Sequence, residues 1–333
     1  MPDKPQILVS IGVPVFNGEK GLARALDSLL VQDYPDLEII VSDNASTDGT
    51  RAICEKYVNK DSRIKYHRVS ENRGAIWNFN RVFELSSGKY FMWAAHDDQR
   101  EPSFVSACVQ KMESCPDAVL CQAHTSTFVE GREELLWAGS LDSFEGVMGL
   151  VERYRETLKR FPATAMYGLY RSAAMRKTRM FQKSIATDMA FIQELSIHGD
   201  FVQVPKQLFN YFNRKKWNAV DQDYRFFFGE GPKPWWYLPF VAVFRDHWIR
   251  VGRSAVPFST KLRLWSVLIE HESGRLSLRA FVKASGRVCP EEWKKTLGSE
   301  IYWRWMHNPN VKAGDSALYL KRVIGPTLRW WTD

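Results

Sequence analysis

Four short apolar runs recur in the first hundred residues, and each stops at a polar cluster. The runs are Gln6 to Val15, Leu37 to Val41, Ile64 to Val69 and Lys89 to Trp93. Short runs of this kind, rich in β-branched or aromatic residues, read as strands buried on both faces. Between them lie helical patterns. Gly21 to Val31 carries Leu22, Ala25, Leu26, Leu29 and Leu30 at helical spacing, and a further helix is expected from Thr50 to Tyr57. Strand, loop and helix in alternation predict an open α/β sheet with mostly parallel strands. Such sheets bind ligands outside the carboxyl ends of their strands. Here those ends are followed by Pro14, Phe16 and Asn17, by Asp43 and Asn44, by Arg73, and by Asp97 and Asp98. Four polar clusters are therefore expected on one rim.

The chemistry of that rim centres on Asp97-Asp98. Adjacent carboxylates repel unless something positive sits beside them. A hard divalent cation, Mg²⁺ or Mn²⁺, suits carboxylate and phosphate oxygens together. The alternative is a solvated turn ahead of the helix that Glu101-Pro102 can open. Asp43 could accept from the N–H of a nucleobase, or close its own turn, with Asp48 or Ser46 capping the next helix. Phe16 could lie beside a base or sit in the core, and Arg73 could meet phosphate or remain a solvated surface charge. His96 adjoins the acidic pair and reads as a non-ligating side chain. No G-x-G-x-x-G or G-x-x-x-x-G-K-[ST] accompanies the strands, which removes the main support for dinucleotide and P-loop readings.

Composition narrows the class. The chain has 333 residues, 45% of them hydrophobic, enough for one large unit and a smaller one. The five cysteines are odd in number and contain no C-x-x-C pair, which predicts reduced thiols and a cytoplasmic location. The N-terminus lacks the apolar core of a signal peptide, and no run of apolar residues is long enough to span a bilayer. Residues 215–333 hold 20 Lys+Arg against 11 Asp+Glu, a net of +9, while residues 1–214 have a net of −1. Ten of the 13 tryptophans fall in that second segment, whose helical patterns run over 260–273, 277–285, 290–297 and 317–331. Tryptophan with Lys and Arg on helices suits an interfacial membrane surface; the alternative is that these rings pack helices onto the first segment. The positive charge is dispersed and carries no nucleic-acid-binding motif, so nucleic acid is not expected as a partner.

The ordered set Val13-Pro14-Val15-Phe16-Asn17, Ile40 to Thr50, Asn72-Arg73-Gly74, Asn80, Gly88-Lys89-Tyr90, Asp97-Asp98 with Pro102, Gly168 to Arg171 and Thr187-Asp188 resembles the family 2 glycosyltransferases. The resemblance covers about residues 7–214. It implies a GT-A fold, a Rossmann-like mixed α/β sheet flanked by helices, here with a mainly helical C-terminal extension over 215–333. By that resemblance Asp43 contacts the nucleobase, with Pro14, Phe16, Asn17, Asn44 and Arg73 around the nucleotide sugar. Asp97 and Asp98 stand where the family's acidic motif holds ribose, diphosphate and metal, and Asp188 matches the catalytic base. Tyr170, Arg171, Tyr211 and Arg214 are candidates for the acceptor side. The chain departs from many relatives at Ala95 and Thr187, where acids are frequent, and it lacks the Q-x-x-R-W signature of processive synthases.

The implied activity is inverting, metal-dependent transfer of a hexosyl-type sugar from a nucleotide diphosphate to an acceptor hydroxyl, in surface or cell-envelope polysaccharide biosynthesis. The donor base expected first is uridine, with GDP and dTDP as alternatives; the acceptor is a glycan, a lipid-linked sugar or a protein. Asp188 opens an apparent amphipathic helix, so it could equally act as that helix's cap. Two other functions compete. A sugar-nucleotide nucleotidylyltransferase would need a Gly-rich N-terminal loop with following Arg and Lys, which Ile11 to Lys20 does not provide. The other is a non-catalytic nucleotide-sugar-binding scaffold, against which the retained Asp97, Asp98 and Asp188 count.

Overall fold

The computed structural model describes residues 7–129, 135–139, 144, 146–147, 149–159, 163–184, 186–213 and 239–285. Strands β1 (Val9–Val15), β2 (Leu37–Asp43), β3 (Ile64–Arg68) and β4 (Tyr90–Trp93) are the four apolar runs. Helices α1 (Leu22–Leu30), α2 (Thr50–Lys60) and α3 (Ala75–Glu84) connect them. All three pairings among these strands are parallel, in the order β3-β2-β1-β4. The first strand starts at Val9, three residues later than its apolar run suggests.

Beyond β4 the sheet changes character. It continues through β8 (Leu169–Arg171), β6 (Ala118–Val129), β9 (Asp200–Asn213) and β5 (Gln99–Arg100), with β7 (Leu135–Gly139) paired to β6. Strand β8 is antiparallel to both β4 and β6, β6 and β9 are parallel, and β5 is antiparallel to β9. The mixed sheet is the one expected from the resemblance. Helices α4 (Phe104–Ser114), α5 (Leu150–Lys159), α6 (Ser172–Met175) and α7 (Thr187–Leu195), with a 3₁₀ turn at Ala163–Tyr167, fill the connections.

Period-two alternation divides the core into two layers. Val9, Ile11, Val13, Val15, Ile39 and Val41 face α1, α2 and α4, meeting Leu22, Leu26, Leu29, Cys54 and Phe104. Ile40, Phe91 and Trp93 face the other way, against Val82 and Phe83 of α3 and Phe191, Ile192 and Leu195 of α7. Trp93 sits at the centre of this second layer, stacked on Phe181 and edge-on to Tyr170 and Phe191. Cys54, Cys108, Cys115 and Cys121 are free thiols.

Two further helices, α8 (Pro239–Arg253) and α9 (Phe258–Ser285), follow. Val251, Leu264, Val267 and Leu268 form a third apolar cluster with Tyr154 and Leu158 of α5 and with Ile197 just past α7. The sequence pattern predicts two helices over 260–273 and 277–285; the structure has one. Gly274 lies between them, and a single helix-interior glycine costs only about 1 kcal/mol relative to alanine, too little to end a helix. Trp248 and Trp265 stack across α8 and α9 with ring centroids 4.7 Å apart, so these two tryptophans pack helix to helix. The patterns over 290–297 and 317–331, and the other eight tryptophans of the segment, lie outside the described residues. No helix among the described residues is long and apolar enough to cross a membrane.

Candidate functional site

The strand register places Val15 beside Asp43 and Asp43 beside Arg68, so the ends of β1, β2 and β3 form one edge. Asp43 is fully buried. Its Oδ1 accepts from the Ser46 backbone N–H at 2.8 Å, closing the turn. Its Oδ2 accepts from the Tyr66 hydroxyl at 2.7 Å and from Arg68 Nε at 3.1 Å. Burial and the Asp43 carboxylate together hold the Tyr66 phenol well above its usual range. The turn-closing alternative for Asp43 is thus present in the geometry, and a nucleobase would have to share an already bonded carboxylate.

The loops around it are braced by amide side chains. Asn17, at φ 52°, accepts from the Thr47 backbone N–H at 2.9 Å, linking the loops after β1 and β2. Asn44 is buried; its amide donates to Asn72 Oδ1 at 2.7 Å and its oxygen accepts from the Arg73 N–H at 2.9 Å, linking the loops after β2 and β3. Asn78 donates to the carbonyls of Val15 and Ser42. Asn17 and Asn44 are therefore frame residues, and Pro14 lies buried inside β1 rather than on the rim. Phe16 is 42% exposed and Arg73 lies over the Trp77 ring, so both side chains remain on the surface of this edge. Asp48, one residue ahead of the α2 N-cap Gly49, accepts from the Thr50 N–H at 3.0 Å.

The Asp97-Asp98 turn is clamped from three sides. Asp98 is 2% exposed, and its Oδ1 accepts from the Phe212 N–H of β9 at 3.0 Å. Arg24 of α1 donates to the Asp97 carbonyl at 3.0 Å and lies over the Phe212 ring. At Gly21 a Cβ would fall 2.7 Å from the His96 carbonyl oxygen and 3.1 Å from the Asp97 Cα, so only glycine lets α1 approach this turn. Arg100 is buried beneath, donating to the carbonyls of Trp93 and Tyr167 and lying over Phe104 and Phe209. Burial pushes its guanidinium down to about 10, against the pull of Asp98. A built-in positive charge thus stands beside the acidic pair. Sequence reasoning did not single out Arg24, Arg100 or Phe212, because their roles depend on chain crossings 73 to 114 residues apart in the case of Arg24 and Phe212.

Tyr167 joins the two acidic segments. Burial, followed by the fields of Asp98, Tyr211, Asp97 and Asp188, raises its phenol well above the ordinary tyrosine value. Carboxylates from the loop after β4 and from α7 are thus near enough for their charges to act on one phenol, as is Tyr211. Asp188 stands in the first turn of α7, whose N-cap is Ala186, so Asp188 does not occupy the cap position.

The remaining acceptor candidates are placed elsewhere. Tyr170 is fully buried, with its hydroxyl donating to the Ala165 carbonyl at 2.8 Å; it is a core residue. Arg171 pairs with Tyr90, the first residue of β4, so it lies at the opposite end of that strand from the acidic turn. Its guanidinium donates to the Ala118 carbonyl at 2.9 Å and lies over the Tyr90 ring. Arg171 is displaced because β8 runs antiparallel to β4, and Tyr170 is buried because β8 lies between β4 and β6 in the interior of the sheet; the motif reveals neither. Arg214 lies outside the described residues.

No group of three or more metal-ligating side chains is found among the described residues. The donor set is two hard carboxylates on one turn. This fits a Mg²⁺- or Mn²⁺-type cation that completes its shell with substrate phosphate oxygens, and does not fit a closed protein cage.

The profile of Glycosyl transferase family 2 matches residues 10–184, more than half of the chain. Among curated relatives, a GalNAc(5)-diNAcBac-PP-undecaprenol beta-1,3-glucosyltransferase of Campylobacter jejuni is 35% identical over 105 residues, 31% of this chain and 34% of that protein. Glycosyltransferase GlyA of Streptococcus pneumoniae is 34% identical over 104 residues, 31% of this chain and 15% of that protein. The matched segments thus span about a third or less of these relatives. Two solved structures share the fold. S. aureus TarS 1-349 in complex with UDP-GlcNAc has a TM-score of 0.59 at 21% identity, covering 80% of this chain and 73% of that one. The mannosyltransferase PcManGT from Pyrobaculum calidifontis in complex with GDP-Man and Mn²⁺ has a TM-score of 0.55 at 16% identity, covering 98% and 88%. With the mixed sheet, its acidic turn and the matched profile in agreement, the chain belongs to glycosyl transferase family 2 and has the GT-A architecture.

Proposed function

We propose that this protein is an inverting, metal-dependent glycosyltransferase that moves a hexosyl-type sugar from a nucleotide-diphospho-sugar to an acceptor hydroxyl in surface or cell-envelope glycan assembly. The observation that carries the reading is the Asp97-Asp98 turn after β4, fixed by Phe212 and Arg24, with Asp188 of α7 near enough for its charge to act on the same Tyr167 phenol as theirs. An acid pair for the diphosphate and a separate carboxylate for the acceptor are the two groups that such a transfer needs. The solved neighbours, one in complex with UDP-GlcNAc and the other with GDP-Man and Mn²⁺, support a nucleotide-sugar donor and a divalent cation. The undecaprenol-linked substrate in the Campylobacter relative's name supports an envelope setting. Uridine diphosphate is the donor base proposed first.

The residues divide the work. Asp98 and Asp97 would hold the cation, which offsets the charge that develops on the leaving diphosphate. Asp43, Phe16 and Arg73 would line the nucleotide, and Tyr167 and Tyr211 the space between donor and acceptor. Asp188 takes the proton of the acceptor hydroxyl as its oxygen attacks the anomeric carbon. The anomeric carbon–oxygen bond on the opposite face breaks, and the nucleoside diphosphate leaves with the electron pair. A positioned base of this kind supplies on the order of 10²–10⁴ in rate. Residues 1–214 would form the catalytic unit, with 215–333 as the extension.

A membrane surface is proposed as a further contact of that extension. Phe258, Leu262 and Ile269 are 66%, 51% and 51% exposed and share one face of α9, with Arg253 and Arg263 exposed nearby. Sedimentation with anionic vesicles checks this contact, which is expected to weaken as salt rises.

The first test of the main reading is thermal stabilisation by UDP, GDP and dTDP, with and without Mn²⁺. One nucleotide should stabilise the wild type in a metal-dependent way, and Asp98→Ala should abolish the effect. Asp188→Asn should keep the stabilisation and lose roughly 10²- to 10⁴-fold in turnover. Full turnover in Asp188→Asn would show that another group is the base.

A further inference from the structure

Asp188 stands at the end of a loop whose backbone is unusual. Met180 and Ala186 both adopt left-handed conformations, at φ 53° and 54°, and neither is glycine. Residues held this way persist only where their surroundings over-determine them. Part of that support comes from the catalytic half of the chain. Asn80 of α3 exchanges two hydrogen bonds with the Phe181 backbone, at 2.9 and 3.1 Å. The Gln182 N–H donates to Thr187 Oγ1 at 2.7 Å, tying the loop to the first turn of α7.

The rest comes from α8. Arg250 is 1% exposed and uses all three guanidinium nitrogens. Nη2 donates to the Met180 carbonyl at 2.9 Å, Nε to Asp246 at 2.9 Å, and Nη1 to Glu194 on α7. Glu194 also accepts from the Arg179 N–H at 3.0 Å, while Arg179 Nη1 donates to Asp246 at 2.8 Å. A closed network of two arginines and two acids, buried except at the half-buried Arg179, therefore joins the left-handed loop, the helix that carries Asp188, and the C-terminal extension.

We infer that Arg250 is a positioning residue for Asp188. By fixing the Met180 carbonyl and Glu194 at once, it sets the entry of the chain into α7 and hence where the Asp188 carboxylate points. The inference rests on the reading of Asp188 as the base. It goes beyond that reading in making helix α8, which lies outside the family match at 10–184, part of the active-site frame. A lysine at this position could neutralise Glu194, but as a point charge it cannot serve three directions in one plane.

The test uses the full chain with Arg250→Lys, and Asp188→Asn as comparator. Hydrogen exchange in Arg250→Lys should accelerate at least about tenfold at the amides of 179–184 and 186–190, while β1, β2 and β4 keep wild-type protection. On the donor that the wild type turns over, kcat should fall about tenfold with the donor KM within about twofold. Unchanged exchange at 179–190, acceleration spread equally over the sheet, or a wild-type kcat each overturns the inference. Full turnover in Asp188→Asn removes the base reading instead, and the exchange pattern still decides whether Arg250 holds the loop.

Discussion

At Asp43 one carboxylate oxygen closes a turn and the other is held by Tyr66 and Arg68, so any base contact must coexist with a structural duty. Asp43→Asn separates the two. The asparagine oxygen still accepts from Ser46, but its amide meets the Arg68 donor. Expected are a loss of about 1–3 kcal/mol in unfolding free energy, read by denaturant titration, and loss of nucleotide-induced stabilisation. Persistence of that stabilisation would move the base contact elsewhere. Glu38 is the clearest stability carboxylate. Although burial opposes its charge, hydrogen bonds from Lys65, Ser10 and Ser87 hold its carboxyl down to about 2. A carboxyl lowered in the folded state contributes stability that is fully present above the ordinary glutamate value. That contribution is lost as pH falls through 4.5 towards about 2. Glu38→Gln should therefore flatten the acid limb of the stability curve and cost about 3 kcal/mol at neutral pH.

Among the elements, α1 shows how secondary structure and site are coupled. Its apolar stripe, Leu22, Ala25, Leu26 and Leu29, packs it on the sheet, and the glycine just before it lets it touch the His96-Asp97 backbone. Gly21→Ala would push a methyl group into that backbone. Overpacking of this kind typically costs about 1–3 kcal/mol. The variant should melt lower and bind nucleotide more weakly, whereas Ala23→Gly, two residues on and on another side of the helix, should leave nucleotide binding intact. The motif at 168–171 teaches the converse. Leu169, Tyr170 and Arg171 lie on β8, an interior strand between β4 and β6 where Tyr170 packs under Trp93 and Phe191, and its antiparallel direction carries Arg171 away from the acidic turn.

For the molecule as a whole, the division near residue 215 is a change in composition more than a seam in the packing. The described part of the extension buries Val251, Leu264, Val267 and Leu268 against α5 and the end of α7. It also supplies Arg250 to Glu194, and breaking such a buried pair typically costs about 3–5 kcal/mol. A chain truncated at 238 should lose its cooperative melt and be cleaved rapidly by protease within 150–195, because net stabilities are only about 5–15 kcal/mol. A truncated chain that melts cooperatively near the wild-type temperature would make the extension an independent unit.

The parallel half of the sheet, its helices and the rim where Asp43 and Asp97-Asp98 stand were legible in the sequence, because period-two and period-3.6 patterns are local and strand ends carry their own polar signals. The burial of Asp43, the seating of Arg100 against the Tyr167 carbonyl and the Phe209 ring, the approach of Asp97, Asp98 and Asp188 to Tyr167, and the reach of Arg250 from α8 to α7 were decided by tertiary packing. Each depends on strand direction and on contacts between residues far apart in the chain, which no local pattern records.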